Sequence, residues 1–463
     1  MKYQSRALDK KSRQRDILHG PVLSVMMRLA LPTTLVLIAQ TLVNVAETYY
    51  VSFLGTSALI GVSLVFPVWM LMTMMAAGGI GGGVAAAVAR ATGAGRNDDV
   101  NALILHSVCI AVFFGIFFTV FFIGFGQDIY AAIGGVGDAL NDAYIYSCYV
   151  FFAAVPIWIV NLLSAVLRGI GNVKFPAAVT FTGALILIPL SPLLIFGLGP
   201  VKGFGLAGAG IAINIFYWAA ALYMLYYMSS GRAGIRMTWA RLRLSLFKDI
   251  LKVGLIAALG TIQLNVMILL VTGAVGIFGV DAIGGFGTAS RLDYVIIPVL
   301  FGIGTAIVTM VGINVGAGNI ERAKRITWIG VMVSAIFAEV IGLLVAIFPE
   351  VWLGLFTTDK NVLLTGKLYL KIVAPFFAAN GILFAIGFAA QGSGFMWKIF
   401  LVGTARLAIA AGVGWLAVEF LNVGQAGLFT IVMAAMVLSA ILSIVIERSG
   451  AIWPKWTSSV HIS

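Results

Sequence analysis

Long apolar runs, separated by short polar breaks, extend over nearly the whole chain. Twelve of them are centred near residues 40, 70, 113, 155, 186, 216, 264, 299, 337, 378, 408 and 436. A helix that crosses a bilayer needs about 20 predominantly apolar residues, and most of these runs are that long. The pattern therefore predicts an all-α, polytopic membrane protein with twelve transmembrane helices.

Composition supports this class and excludes a soluble globular domain. Of the 463 residues, 61% are hydrophobic and 10% are charged, whereas soluble proteins have about 25% charged residues. The net charge of +12 does not indicate nucleic-acid binding, because the basic residues are spread over many loops. Most of the 29 Lys and Arg fall on one side of the predicted topology, which by the positive-inside rule is the cytoplasmic side.

Polar stretches divide the chain into five predicted segments. With an even number of spans, both termini lie on the same side, which is the cytoplasmic one. The predicted organisation is a cytoplasmic tail (1–28), a first lobe with helices 1–6 (29–228), a basic cytoplasmic linker (229–249), a second lobe with helices 7–12 (250–447) and a cytoplasmic tail (448–463).

Glycine motifs repeat between the halves at a nearly constant offset. The matching sets are Gly55, Ala58 and Gly61 with Gly279, Ala282 and Gly285 at 224, and Gly93, Ala94, Gly95, Gly169 and Gly171 with Gly316, Ala317, Gly318, Gly392 and Gly394 at 223. An even number of spans per repeat gives the two lobes the same orientation. We expect lobes related by a pseudo-two-fold axis along the membrane normal, with the transport path between them.

A glutamate lies within the first span. A carboxylate at bilayer depth costs roughly 2.5 kcal/mol or more, so such residues usually face a bundle interior or a wet cavity. At 100° per residue, Thr33, Gln40, Asn44 and Glu47 share one face of helix 1. We interpret Glu47 as a proton carrier, with Pro32 at the start of the helix allowing a bend; the alternative is a hydrogen bond to a neighbouring helix.

Other polar residues in the spans are weaker candidates for a substrate cavity. They are Asn214 and Tyr217 on helix 6, Gln263 and Asn265 on helix 7, and Asn380 on helix 10. Packing between helices explains them equally well. Four charged residues are predicted to form structural or gating ion pairs, with Glu339 on helix 9 a candidate partner of Arg291 on helix 8, and Arg406 on helix 11 a candidate partner of Asp293 on helix 8.

The sequence gives no indication of an enzyme or of a metal site. His19, His106 and His461 are scattered, and Cys109 and Cys148 fall in separate apolar spans. Neither set has the spacing of metal ligands or of a nucleophile with its base. No catalytic residue, metal or cofactor is predicted, apart from a coupling ion.

Several segments together resemble the multidrug and toxic compound extrusion (MATE) family, in the bacterial branch with Glu in the first helix. They are ETYYVSFLGTSALIGVSLVFP, ARATGAGRNDD, VLRGIGNVKFPA, LSPLLIFGLGPVKGFGLAGAGIA and ASRLDYVIIPVLFGIGTAIVTMVGINVGAGNIERA. The resemblance implies a two-lobed, twelve-helix antiporter that exports organic solutes against a proton or sodium current. It also implies small organic substrates, contact with membrane lipid, a monomer, and a place in the bacterial inner membrane.

The chain departs from the family pattern at positions that bear on the coupling ion. Ser191 and Asn380 stand where many members have Asp, and Gln391 replaces the usual Arg of the second RGxG turn. These changes make a second-lobe sodium site doubtful and favour proton coupling through the first lobe. The alternatives are a sodium-coupled exporter of the same fold and a flippase for lipid-linked precursors, which would need several basic residues to hold pyrophosphate.

Overall fold

The computed structural model describes residues 2–198, 201–239 and 241–454, without the side chains of residues 2–10, 201, 293 and 294. The first half contains α1 (Lys2–His19), α2 (Val22–Ser52), α3 (Thr56–Met74), α4 (Gly81–Gly93), α5 (Asn97–Ala132), α6 (Gly137–Phe152), α7 (Ala154–Gly169), α8 (Lys174–Phe196), the antiparallel strands β1 (Gly197–Leu198) and β2 (Val201–Lys202), and α9 (Leu206–Ser229).

The second half repeats this helical order after the linker. It contains α10 (Leu244–Gly276), α11 (Val280–Ser290), α12 (Asp293–Gly316), α13 (Ile320–Ile347), the short α14 (Pro349–Leu353), α15 (Lys360–Val373), α16 (Ala378–Ser393), α17 (Trp397–Leu407), α18 (Gly414–Leu421) and α19 (Gln425–Arg448). Single π-helical segments join α3 to α4 (Met75–Ile80) and α17 to α18 (Ala408–Val413).

Twelve spans result from these elements. Ten helical stretches are long and apolar enough to cross a membrane, and two bent pairs pass the same criteria together. The bent pairs are α6 with α7, at 45°, and α15 with α16, at 53°. The prediction of an all-α protein with twelve membrane helices is confirmed.

The internal repeat is visible in backbone angles as well as in sequence. Equivalent turn glycines have nearly equal positive φ angles, which only glycine adopts readily: Gly55 and Gly279 have 113° and 107°, Gly95 and Gly318 have 72° and 80°, and Gly171 and Gly394 have 76° and 93°. The glycines that match in sequence therefore end equivalent helices in the same way.

The start of the first span differs from the prediction. The helix α2 begins at Val22, directly after Pro21, and continues through Pro32 to Ser52. The expectation that Pro32 begins this helix is wrong, because Pro21 lies just outside the helix, where a missing N–H costs nothing. The first seven residues of α2, and all of α1, thus fall within the segment predicted as a tail.

The linker between the halves is shorter than predicted. The helix α9 ends at Ser229 and α10 begins at Leu244, so the last residues of the predicted linker 229–249 are helical. The linker carries exposed apolar side chains, with Trp239 at 91% exposure. Of the predicted tail 448–463, residues 455–463 lie outside the described part of the chain.

The two halves pack closely at one end of the bundle, which we call the linker side because it holds the linker; the opposite end, with β1 and β2, is the hairpin side. A Cβ on Gly93 would lie 2.0 Å from the carbonyl oxygen of Ile313, and one on Gly316 would lie 2.1 Å from that of Arg90. The backbones of α4 and α12 therefore touch at glycines, as is common in membrane bundles.

The N-terminal helix α1 spans both halves on the linker side. The Gln14 side chain donates to the carbonyl of Thr92 in the first half. In the second half, Arg322 donates to the carbonyls of Ile17 and Gly20 at 3.3 and 2.5 Å. Because Ile17 is also fully buried, α1 is part of the packed structure.

Candidate functional site

Glu47 lies in α2, five residues before the hairpin-side end of that helix. Its Oε1 atom is buried and has no hydrogen-bond partner. The carboxyl lies within electrostatic reach of two phenols, Tyr146 on α6 and Tyr217 on α9. A carboxyl enclosed in this way is costly to ionise, and it is held among groups that can donate hydrogen bonds.

The other members of the predicted polar stripe share the partial burial of Glu47. Thr33, Gln40 and Asn44 are each half-buried. The intervening apolar residues Leu42 and Val45 are 62% and 63% exposed. The stripe is thus turned away from the most exposed face of α2, towards the neighbouring helices.

Asn214 and Tyr217 lie one turn apart on α9. The Asn214 amide donates to the carbonyl of Tyr149 on α6 at 2.6 Å and to that of Gly210 in its own helix at 3.0 Å. Its Oδ1 atom is buried without a partner. Asn214 therefore joins two helices of the first lobe and still has an acceptor available for a ligand.

The second-lobe candidates do not form a comparable cluster. Gln263 on α10 donates to the Thr404 hydroxyl on α17 at 2.9 Å, which is a contact between helices. Asn265 is exposed and donates to the carbonyl of Thr261 in its own helix. Asn380 is the exception, because its Oδ1 atom is buried without a partner.

The expected pair of Arg291 with Glu339 is absent from the ion pairs of the described residues. The Arg291 guanidinium lies over the ring of Phe356, 5.4 Å from its centre. Glu339 instead accepts a hydrogen bond from the backbone N–H of Ala378 at 2.7 Å. The side chain of Asp293, the expected partner of Arg406, lies outside the described residues.

A small cavity lies between the lobes on the linker side. It measures about 10 Å³, roughly the space for one water molecule, and Arg168, Gln391, Phe301, Thr305 and Phe388 are among its lining residues. The Nε atom of Arg168 and the Oε1 atom of Gln391 are both buried without partners. The cavity thus contains an unused donor and an unused acceptor.

Two features of this arrangement were not predicted from the sequence. Tyr146, beside Glu47, lies in the tyrosine-rich stretch AYIYSCY, but nothing in that pattern distinguishes it from Tyr144 or Tyr149. Ser191 on α8 is fully buried, with a hydroxyl that has no partner. Within the described part of the chain, no three His, Cys, Asp or Glu side chains are grouped so as to hold a metal ion.

The sequence and the fold both match known transporters. A 26% identical protein of Thermotoga maritima, described as probable multidrug resistance protein NorM, aligns over 93% of each chain. An FAD transporter of Shewanella oneidensis is 24% identical, over 80% of this chain and 82% of its own. A solved transporter of the MOP superfamily from Pyrococcus furiosus superposes with a TM-score of 0.86 at 23% identity, over 94% of this chain and 97% of that one.

The family assignment rests on a match that covers more than half of the chain. The sequence model of the MatE family matches residues 32–193 and 257–416, one segment in each half. Relatives in this family include multidrug export proteins such as MepA of Staphylococcus aureus, which is 24% identical over 92% of both chains. The chain therefore belongs to the MatE family of multidrug efflux transporters.

Proposed function

We propose that this efflux transporter exchanges its organic, often cationic, substrates for protons, and that Glu47 carries the proton. The observation that supports this proposal is the buried Oε1 atom of Glu47, which has no hydrogen-bond partner. A membrane-embedded carboxyl whose only role was to join helices would have its oxygens occupied by donors. An unoccupied oxygen beside two phenols suits a group that alternates between binding a proton and binding a cation.

Competition between proton and substrate then drives the exchange. An ionised Glu47 is costly to leave unpaired in a low-dielectric site and attracts a cationic substrate. Once protonated, it loses that attraction and the substrate is released. In this proposal the polar side chains Thr33, Gln40, Asn44, Asn214 and Tyr217 orient the substrate, and Pro32 permits α2 to bend around it.

The orientation of the chain fits this cycle. The linker side carries most of the basic residues, so we place it in the cytoplasm, with both termini, in the bacterial inner membrane. The lobes are closed on that side, and Glu47 lies nearer the hairpin side. A proton from outside therefore reaches Glu47 without crossing the closed end, and the transporter works as a single chain.

The second lobe contributes shape and hydrogen bonds in this proposal. Gln263, Asn265 and Asn380 are amides, which do not exchange a proton near neutral pH. A sodium-coupled exporter is the alternative, but a hard cation prefers several oxygen ligands including carboxylates. Among Thr33, Gln40, Asn44, Asn214, Tyr217 and Glu47, the one carboxylate is that of Glu47. A single carboxylate suits a proton better than it suits a sodium ion.

A second candidate substrate class is a flavin nucleotide or another phosphorylated compound. The FAD transporter of Shewanella oneidensis is one of the relatives. Arg168, at the boundary between the lobes, forms no ion pair with a described carboxylate and has a buried Nε atom without a partner. A basic group there suits an anionic substrate that enters from the linker side, or the lipid-linked pyrophosphate of a flippase.

The test is transport in proteoliposomes with proton and sodium gradients imposed separately, using ethidium and FAD as probes. We expect ethidium efflux to follow the proton gradient, Glu47→Gln to abolish it, and Glu47→Asp to retain part of it. Glu350→Gln, which alters an exposed carboxyl of α14, is the matched control and should transport normally. Wild-type pH dependence in Glu47→Gln, or efflux that follows sodium alone, would refute the proposal; transport of FAD but not ethidium would select the second candidate.

A further inference from the structure

One long stretch of the chain contains no acidic residue. Between Asp142 and Asp249 there is no Asp or Glu, although the stretch includes α7, α8, α9 and the linker. Its basic residues are Arg168, Lys174, Lys202, Arg232, Arg236, Arg241, Arg243 and Lys248. Most of them lie on the linker side. The linker-side ends of α8 and α9, together with the linker, therefore form a positive surface whose counter-charge must come from elsewhere in the chain or from another molecule.

The rest of the chain supplies this counter-charge at one linker residue. Arg243 forms an ion pair with Asp99 on α5 at 2.6 Å. Lys174, Arg232 and Arg241 are exposed, and among the described residues none of the three takes part in an ion pair. These three charges are left for a partner outside the chain.

The linker is held on the first lobe by buried side chains and by its backbone. Ile235 is buried in the core of that lobe, and the N–H of Arg236 donates to the Asn101 side chain on α5 at 3.0 Å. With the linker fixed in this way, Trp239 and Leu242 remain 91% and 56% exposed. A tryptophan and a leucine among arginines are typical of a segment that lies at the membrane–water interface.

Arg232 lies at the end of the lipid-facing side of α9. Its guanidinium carbon is 5.3 Å from the centre of the Tyr226 ring, and Tyr226 and Leu222 are 55% and 62% exposed. Because α9 is a membrane span and the lobes are closed on the linker side, this exposed face contacts lipid. Tyrosines at the ends of spans lie at the level of the headgroups, so Arg232 lies at that depth too.

Lys174 lies beside the same end of α9. It is the first residue of α8, and the ring of the following residue, Phe175, lies 3.5 Å from the Tyr227 ring and 5.6 Å from the Tyr223 ring, measured between centres. These ring contacts hold the start of α8 against the last two turns of α9. Lys174 therefore belongs to the same edge of the first lobe as Arg232.

We propose that this edge binds the headgroup of an anionic phospholipid. Its members are Lys174, Tyr226, Arg232, Trp239 and Arg241. A guanidinium pairs with two phosphate oxygens at once and a lysine adds a point charge, while the two aromatic rings lie at the interface beside the lipid chain. The bound lipid supplies the counter-charge that residues 143–248 lack. Charge alone would equally suit an acidic protein, but the position of Arg232 at the lipid-facing end of α9 favours a lipid. The inference is independent of the coupling ion.

Native mass spectrometry of the full-length protein measures the affinity for single lipids. The probes are phosphatidylglycerol and phosphatidylcholine with the same acyl chains, and we expect the wild type to bind the first more tightly. Arg232→Gln and Lys174→Gln should each weaken phosphatidylglycerol binding about fivefold, the effect of one basic residue at an anionic surface. Arg232→Lys, which keeps the charge, should retain the preference. Lys202→Gln, at an exposed hairpin-side position of the same acid-free stretch, is the matched control and should bind both lipids like the wild type.

Equal wild-type affinities for the two lipids would overturn the proposal. So would phosphatidylglycerol affinities of Arg232→Gln and Lys174→Gln that match that of Lys202→Gln.

The position of the linker is tested with a bimane fluorophore at Trp239→Cys, in a protein with Cys109 and Cys148 replaced by alanine. We expect its emission to shift to shorter wavelength in nanodiscs of phosphatidylglycerol relative to nanodiscs of phosphatidylcholine. A polyglutamate peptide added to the phosphatidylcholine nanodiscs should not reproduce this shift. An equal shift with the peptide would indicate an acidic protein partner and overturn the assignment to a lipid.

Discussion

Arg168 and Gln391 occupy equivalent positions of the two repeats and line the same cavity between the lobes. Both side chains donate to the π-helical segment 75–80: Arg168 to the carbonyl of Ala77 at 3.4 Å and Gln391 to that of Gly78 at 2.9 Å. The pseudo-symmetry axis thus brings one guanidinium and one amide together on the linker side. A second arginine here would place two positive charges in a space of one water molecule.

Gln391→Arg should therefore weaken the closed contact between the lobes. Two unpaired guanidinium groups repel each other at low dielectric, so we expect the linker side to open more often. The measurement is labelling by a water-soluble maleimide at Val308→Cys, which lines the cavity, in a protein with Cys109 and Cys148 replaced by alanine. Labelling should be at least about fivefold faster, since 1 kcal/mol corresponds to about this factor; Gln391→Met, which adds no charge, should have a smaller effect.

Gly93→Ala and Gly316→Ala should each disturb the contact between α4 and α12. The added Cβ would lie 2.0 Å from the Ile313 carbonyl oxygen or 2.1 Å from the Arg90 carbonyl oxygen, so the backbones must separate. Overpacking of this kind costs about 1–3 kcal/mol. Thermal unfolding in detergent should show a lower transition temperature for both variants, while Gly124→Ala, where a Cβ meets nothing within 4 Å, should unfold like the wild type.

Removal of the Arg90 side chain should open the same end of the molecule. Arg90 donates to Asp249 on α10 at 2.7 Å and to the Gly392 carbonyl on α16 at 3.1 Å. Asp249 is 41% exposed, so after solvent screening we expect the ion pair to contribute about 1 kcal/mol or less. A double-mutant cycle of Arg90→Gln and Asp249→Asn, read by the same labelling of Val308→Cys, should show coupling; strictly additive effects would contradict a direct contribution from the pair.

The ring of His106 should hold the end of the linker in place. Its Nε2 atom accepts from the backbone N–H of Arg243 at 2.9 Å, and Nδ1 is 2.8 Å from the Ala102 carbonyl. Because Nε2 is the acceptor, the ring hydrogen is on Nδ1, and removal of the ring leaves the N–H of Arg243 without this partner. His106→Ala should therefore speed trypsin cleavage of the linker at pH 8 by about tenfold, whereas His19→Ala, at an exposed position, should not.

The sequence alone was sufficient to predict the spans and their duplication, because both depend on local patterns. Twelve apolar runs became twelve spans, and the glycine offset reappeared as matching φ angles at Gly55 and Gly279. The start of the first span was misplaced because Pro21 and Pro32 are both compatible with a helix beginning. Only the contacts around α2 distinguish them.

The contacts of the charged residues could not be predicted in the same way. Arg291 and Glu339 are the right types for an ion pair, yet one lies over an aromatic ring and the other binds a backbone N–H. A main-chain donor that becomes free at a helix break has no signature in the sequence. The placement of Tyr146 beside Glu47 likewise depends on how α6 packs against its neighbours.

The docking of α1 constrains the order in which the molecule is assembled during synthesis. Asn314 and Arg322, which donate to the Ile17 carbonyl, are translated 297 and 305 residues after it. The helix α1 is thus made long before its partners in the second half. During translation of the first lobe and most of the second, α1 has no completed binding site, and a ribosome that stalls before Asn314 leaves this helix accessible to chaperones and proteases.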